Sequence, residues 1–258
     1  MNNSIPQLSH NEYQRYSRHI MLEEIGEAGQ QVLKHACVLV IGVGGLGCAA
    51  AQFLAASGIG HLILVDADSV ERSNLQRQIL FKTNHLGALK VDAARKQLAA
   101  MNPEIRVTTF NNTIENTFLH DEFLKCFQQV DIVLDCTDNP ASRYFINEQC
   151  VLHQKKLVSA AAIQGQGQLI SIDLSTSNSP CYACLFPPTQ KMATQNCATN
   201  GVLSPLLGVI GSLQATETLR LLLGMTAQLN QLHTINLWSM QFKQFTVPKN
   251  KHCTVCGH

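Results

Sequence analysis

The chain has 258 residues, with 19 Lys+Arg against 18 Asp+Glu. That length fits one large domain or two small ones, and the charge balance gives no general attraction to nucleic acid. Ten Cys are too dilute for a small disulfide scaffold. Met1–His10 is polar and lacks the apolar core of a leader peptide, so the composition predicts a cytoplasmic protein with reduced thiols. Charged residues make up 14%, against about 25% in an average soluble protein, which predicts that a partner subunit covers part of the surface.

In chain order, Ser9-x-x-Glu12 fits a capping box and starts a helix near His10. Arg15, Arg18 and Glu23-Glu24 follow, and a second short helix is predicted over Glu27–Lys34. Ala36–Gly60 is a run of 25 residues without formal charge, long enough to suggest a membrane span. Its six glycines and its split into a β-branched run and an Ala/Leu run predict instead a buried strand (Cys37–Ile41), a glycine turn and a buried helix (Leu46–Ala56). Strand His61–Val65 ends at Asp66, and a polar stretch runs to Leu86. Helix Ala88–Met101, strand Ile105–Phe110, helix Phe118–Phe127, strand Asp131–Asp135, helix Ala141–His153 and strand Leu157–Ala161 follow. This alternation predicts an α/β, Rossmann-like, doubly wound and mainly parallel sheet.

Gln166–Asp173 alternates as an antiparallel strand does. Cys181–Asn200 has no periodicity, Gly201–Gly224 predicts a long buried helix, and Leu232–Leu237 with Gln241–Val247 predicts a closing hairpin. Trp238 in that hairpin is expected to pack. Pro205, Glu217 and Arg220 argue against a membrane role for the long helix. The chain thus divides, within one domain of residues 1–258, into a helical arm (1–35), a nucleotide-binding core (36–162) and a final part (163–258).

Gly42-Val43-Gly44-Gly45-Leu46-Gly47 is a G-x-G-x-x-G between a predicted strand and helix. Residues without side chains let the backbone approach a phosphate, and the helix N-terminus supplies unpaired N–H groups. Asp66, 19 residues past Gly47, stands where an acid accepts from ribose hydroxyls. Asp68, the run Ser73-Asn74-Leu75-Gln76-Arg77-Gln78, Lys90 and Asp138 lie beyond strand ends, facing the ligand crevice. Each alone also fits an ordinary surface position. Together, two cations and a carboxylate suit a triphosphate with Mg²⁺ better than a dinucleotide.

Arg15-Tyr16-Ser17-Arg18, the Gly42–Gly47 turn, Asp66, Ser73–Gln78, Lys90, Cys136-Thr137-Asp138-Asn139 and two C-x₂-C pairs resemble the ThiF/MoeB/HesA family, bacterial relatives of the ubiquitin-activating E1 enzymes. The resemblance runs from about Tyr13 to Gly257. It implies adenylation, with ATP and Mg²⁺, of the C-terminal glycine of a ubiquitin-like sulfur carrier (ThiS- or MoaD-like, ending Gly-Gly), releasing pyrophosphate. By resemblance Asp66 holds the ribose and Asn74, Arg77 and Lys90 contact the triphosphate. Asp138 is the Mg²⁺-associated acid, and Arg18 reaches the triphosphate of the neighbouring protomer in a homodimer. The final part, 163–258, becomes the carrier-binding part.

Cys181-x-x-Cys184 and Cys253-x-x-Cys256 are 69 positions apart, too far for a compact zinc ribbon. Two such pairs suit a Zn²⁺ clip holding the tail, as the family has there. A redox pair is the alternative, although neither pair is expected to open a helix after a strand. His252 and His258 flank the second pair as substitute ligands. Cys197, in the aperiodic loop before the long helix, is by resemblance the thiol linked to the activated carrier in the ThiF branch. An unreactive loop Cys is its rival. Cys37, Cys48, Cys126, Cys136 and Cys150 read as packing residues, with Cys136 bordering the crevice.

Gln78-Ile79-Leu80-Phe81 and Asn196-Cys197 lean toward the thiamine-thiazole branch, while Gly208–Ala215 looks equally like the molybdopterin branch. Because the sequence stops at His258 without room for a rhodanese domain, sulfur is expected from a separate donor protein. The rivals are an NAD-dependent oxidoreductase, a non-catalytic zinc-stabilised scaffold, and activation of a carboxylate on tRNA, the last poorly matched by near-neutral charge.

Overall fold

The computed structural model describes residues 7–188 and 200–257. Three helices lead in: α1 (His10–Arg15), α2 (Ser17–Ile20) and α3 (Gly26–His35). The capping box closes α1, with the Ser9 side chain accepting from the Glu12 N–H and the Glu12 carboxylate accepting from the Ser9 N–H.

The core alternates β1 (Cys37–Ile41), α4 (Gly45–Ala56), β2 (His61–Val65), α5 (Lys90–Met101), β3 (Arg106–Phe110), α6 (Ile114–Thr117), α7 (Asp121–Gln128), β4 (Ile132–Asp135), α8 (Pro140–Leu152) and β5 (Lys156–Ile163). β6 (Gln166–Asp173), α9 (Tyr182–Leu185), α10 (Ser204–Leu222), β7 (Gln231–Asn236) and β8 (Gln241–Thr246) complete the described elements. The eight strands form one sheet in the order β3-β2-β1-β4-β5-β6-β7-β8. The first five are parallel; β6, β7 and β8 extend the sheet antiparallel.

Both faces of the parallel part are covered, which is why β1 is apolar at every position. Val38, Val40, Leu62 and Leu64 pack toward α4, α5 and α10, and Leu39, Ile41, Ile63 and Val65 toward α7 and α8. α10 lies against α4 so closely that a Cβ at Gly211 would stand 2.6 Å from the Leu46 carbonyl oxygen. Dense packing of this kind accounts for a long, nearly uncharged helix inside a globule. Among the described residues, no helix is long and apolar enough to cross a membrane.

The structure differs from the sequence reading at four places. The helix expected over Phe118–Phe127 starts only at Asp121, because a separate short helix, α6, capped by Thr113, ends at Thr117 and His120 restarts the chain at α7. Phe118 sits at the break, its ring edge-on to Phe123, Phe127 and Phe145. The long helix starts at Ser204 rather than Gly201, which takes a left-handed φ of +70°. Cys181 does open a helix, as the N-cap of the one-turn α9, but the preceding strand ended at Asp173. Trp238 packs only in part. Its indole covers Gly165, where a Cβ would meet Nε1 at 2.1 Å, while the residue is 72% exposed.

Candidate functional site

The glycine turn joins β1 to α4. Gly42 takes a left-handed φ of +88°, and a Cβ there would stand 2.8 Å from the Cys136 carbonyl oxygen. At Gly47 a Cβ would lie 1.9 Å from the Gly42 carbonyl oxygen. The turn can therefore tuck under the helix only without side chains. Gly44 is the N-cap and provides no side-chain cap, so the first N–H groups of α4 are left to a ligand.

A cleft of about 830 Å³ opens above this turn, at the C-terminal ends of the parallel strands. Gly42, Gly44, Gly45, Asp66, Asp68, Asn74, Arg77, Lys90 and Asp138 all line it. Gly47 lies underneath. Lys90 is 5% exposed and its Nζ is 2.7 Å from Asp68 Oδ2. This aims a buried ammonium at the cleft, neutralised by an exposed carboxylate that an anionic ligand can replace. Arg77 donates to the Ser73 carbonyl at 3.0 Å, and Asn74 Oδ1 accepts from the Glu71 N–H. Asp138 is exposed on the loop between β4 and α8.

Asp66 accepts the Val43 N–H at 2.7 Å and the Asp68 N–H at 2.8 Å, tying the acid to the glycine turn. Burial, the largest influence, pushes its carboxyl above the usual value; Lys90 and the two N–H groups pull the other way. Only the ionised form accepts from two ribose hydroxyls. The affinity of a nucleotide seated with its ribose on Asp66 should therefore decline on acidification at a higher pH than an unperturbed aspartate would give. The folding sign is opposite. A raised acid pKa weakens the folded state at neutral pH, and that cost fades as pH falls through it. Calorimetric titration of ATP across pH, with Asp66→Asn lacking this component, checks the point; identical pH profiles would refute it.

Arg18 is not part of this cleft. It is exposed on α2, with Nη1 3.7 Å from the Met21 sulfur. Cys197 lies outside the described residues.

The second constellation is the four cysteines. Cys181, Cys184, Cys253 and Cys256 have sulfurs within 4.8 Å of one another. Cys181 and Cys253 sulfurs are 3.6 Å apart, and those of Cys184 and Cys256 3.4 Å. Neither pair is a disulfide, which needs about 2.05 Å. A tetrahedral ion with metal–sulfur bonds of about 2.3 Å sets sulfurs about 3.8 Å apart, and this donor set fits. Burial pushes the Cys181 thiol up to about 11, so ionisation there needs a cation. His252 is exposed, and His258 lies outside the described residues.

The model of the ThiF family matches residues 16–255. The chain belongs to the ThiF family. The "Sulfur carrier protein ThiS adenylyltransferase" of Escherichia coli (strain K12) is 39% identical to this ThiF-family chain over 246 residues, covering 95% of the chain and 96% of the relative. "Adenylyltransferase and sulfurtransferase MOCS3" of Culex quinquefasciatus is 46% identical over 223 residues, and that of Aedes aegypti 42% over 258. The chain covers 86% and 99% of itself in these matches but only 50% and 58% of the two relatives, about half their length. Among solved structures, the microcin C7 biosynthetic enzyme MccB in complex with N-formylated MccA superposes with a TM-score of 0.80 at 24% identity, over 96% of this chain and 76% of that one. This likeness concerns the fold.

One part of the cleft escaped the sequence reading. Arg143 is 7% exposed beneath the cleft. Nη1 is 3.3 Å from both Asp135 Oδ2 and Ser159 Oγ, and Nη2 donates to the carbonyls of Thr137 and Ala160. Asp135 Oδ1 in turn accepts from the Thr137 N–H at 3.0 Å and hydroxyl at 2.6 Å. Thr137, the neighbour of Asp138, is thus gripped at its N–H, hydroxyl and carbonyl. A signal existed. Arg143, Ile146, Asn147 and Cys150 are spaced i, i+3, i+4, i+7 and all buried on α8, so a charge on an apolar helical face implied a buried partner. Gln78, 4% exposed beside Gly44, lines the cleft with an Oε1 that has no partner among the described residues.

Proposed function

We propose that the chain is an adenylyltransferase that uses ATP and Mg²⁺ to activate the C-terminal carboxylate of a ubiquitin-like sulfur carrier ending in Gly-Gly. The observation that carries this reading is the meeting, in one cleft, of an uncapped helix N-terminus, an acid for the ribose, two cations and Asp138. A dinucleotide enzyme on the same turn has no use for the two cations and Asp138. The ThiF-family match and the ThiS adenylyltransferase of E. coli support the substrate class. Gln78-Ile79-Leu80-Phe81 and Asn196-Cys197 favour a ThiS-type carrier and the thiamine-thiazole branch over the molybdopterin one.

In the proposed reaction a carboxylate oxygen of the carrier attacks the α-phosphorus of ATP. The bond from the α-phosphorus to the bridging oxygen breaks, pyrophosphate leaves, and an acyl-adenylate remains. The protein's work is positioning and charge stabilisation. The Gly42–Gly47 turn and the N-terminus of α4 seat the phosphates, and Asp66 fixes the ribose. Asn74, Arg77 and Lys90 offset the negative charge that two approaching anions concentrate. Asp138 would hold Mg²⁺, which when bound supplies further charge neutralisation. Arg18 acts on the cleft of the partner protomer in a homodimer, and Cys197 is the thiol linked to the carrier during sulfur transfer. The whole of 1–258 works as one cytoplasmic adenylation domain, with arm 1–35, core 36–162 and carrier-binding part 163–258.

The cysteine cluster takes Zn²⁺ as a structural clip between α9 and the C-terminal tail. Metal analysis should give one zinc per chain, and stripping it with a strong chelator should lower the melting temperature while leaving the β1–β5 core folded. Absence of metal from protein purified without chelator would refute the clip.

Carrier-dependent ATP–pyrophosphate exchange tests the proposal. Exchange is expected only with a carrier whose terminal glycine is intact. A thermal shift with NAD and none with ATP-Mg²⁺ would favour the oxidoreductase reading instead.

A further inference from the structure

The cleft and the cysteine cluster meet at one residue. Cys181 is the N-cap of α9 and Cys184 lies within it, and both bring their sulfurs to the cluster with Cys253 and Cys256. Tyr182, between them, is 3% exposed and lines the cleft together with Arg143 and Asp138. A single turn of chain thus belongs to both constellations.

That turn is pinned to α8 at several points. The Tyr182 N–H donates to Asn147 Oδ1 at 2.8 Å, and the Tyr144 hydroxyl donates to the Phe186 carbonyl at 3.0 Å. The rings of Tyr144 and Phe186 flank that of Tyr182, with centroids 5.7 and 5.0 Å away. Asn147 is fully buried, and its Nδ2 has no hydrogen-bond partner among the described residues. Its amide interacts with the Cys181 thiol, where a metal-bound thiolate would take such a donor. Asn147 stands four residues after Arg143 on the buried face of α8, one helical turn away.

The Tyr182 phenol interacts in turn with the Arg143 guanidinium. The partners of Arg143 named above belong to β4, β5 and the loop at Thr137. Tyr182 reaches it from the cysteine cluster. A phenol oxygen is a neutral acceptor, so it holds a guanidinium in place without competing for the charge that Asp135 requires.

We propose that Tyr182 is a positioning residue, which braces Arg143 and through it the Thr137–Asp138 loop, and which a Zn²⁺-filled cysteine cluster holds in place. The inference rests on the adenylyltransferase reading.

The test follows deuterium uptake by the peptide that carries Thr137, in zinc-loaded protein, a readout that needs no activity. Tyr182→Phe keeps the ring and should keep one zinc per chain. It should speed uptake at Thr137 by about tenfold. Removing zinc from the unaltered protein should do the same, while removing it from Tyr182→Phe should add little, because both act through one contact. Uptake across β1 should stay slow throughout. Pyrophosphate exchange by Tyr182→Phe should show kcat lower by about three- to tenfold, with the KM for ATP unchanged. Equal uptake in Tyr182→Phe and the unaltered protein, or additive effects of substitution and zinc removal, overturns the inference while the enzyme reading stands. So does a loss confined to Tyr182→Leu, which would leave packing of the ring as its cause. No pyrophosphate exchange by the unaltered protein overturns the enzyme reading, and the positioning role with it.

Discussion

Replacing Asp138 with Ala is expected to lower carrier-dependent ATP–pyrophosphate exchange by about two to three orders of magnitude, with the melting temperature unchanged. The two halves of this expectation have separate causes. Asp138 is exposed, and substitution at such a site away from packing changes stability by about 0.5 kcal/mol or less. Its neighbours are held independently of it. Thr137 is fixed through Asp135 and Arg143, and Gln214 Nε2 donates to the Asp135 carbonyl at 3.0 Å. The carboxylate is thus presented to the cleft by a rigid support to which it contributes nothing. Its loss falls on the charge balance around the triphosphate, so Asp138→Asn, which keeps the shape, should be nearly as inactive. Unchanged exchange in either variant would remove Asp138 from the proposed machinery.

Arg143→Met should act in the opposite sense, through stability first. The substitution leaves the Asp135 carboxylate, 2% exposed, without its cation, and breaking a buried ion pair from one side costs about 3–5 kcal/mol. In a domain of this size that lowers the melting temperature by about 10 °C. Exchange should fall as well, because the Thr137 carbonyl loses its clamp and Asp138 its fixed position. Pairing the change with Asp135→Asn removes the stranded charge and should restore much of the stability without restoring activity. Recovery of both together would mean that Arg143 serves folding alone. A melting temperature unaffected by Arg143→Met would contradict the buried pair itself.

Local patterns in the sequence were sufficient for most of the parallel-strand end of the cleft. β1, β2 and β6 lie at their expected residues because continuous apolar or strictly alternating runs leave one period available. The glycine turn was legible for the same reason, since three of its positions exclude a side chain on steric grounds. Asp66, Asn74, Arg77, Lys90 and Asp138 follow from chain position at strand ends, where the parallel topology fixes which way the loops face.

What long-range packing decides was harder to read. The break between α6 and α7 depends on one Thr cap and on Phe118 being wanted in a ring cluster. The Arg143 network joins β4, β5 and α8 across 8 to 24 positions, and no local pattern names its members. The row Gln168, Thr234 and Lys243, which lines the far end of the cleft, needs the register of three strands, which no single strand contains. The cysteine cluster is intermediate. The two C-x₂-C pairs are local signals, but only the fold brings Cys181 and Cys253, 72 residues apart, to 3.6 Å.

The proposed transfer of AMP to a carrier carboxylate is identified directly by its product. A ThiS-type carrier incubated with the protein, ATP and Mg²⁺ can be examined by intact-mass spectrometry while the released nucleotides and phosphates are separated. The expected result is a carrier heavier by one adenylyl group, an equal amount of pyrophosphate, and neither product when the terminal glycine is deleted. A carrier of unchanged mass, or ADP with inorganic phosphate in place of pyrophosphate, would contradict it.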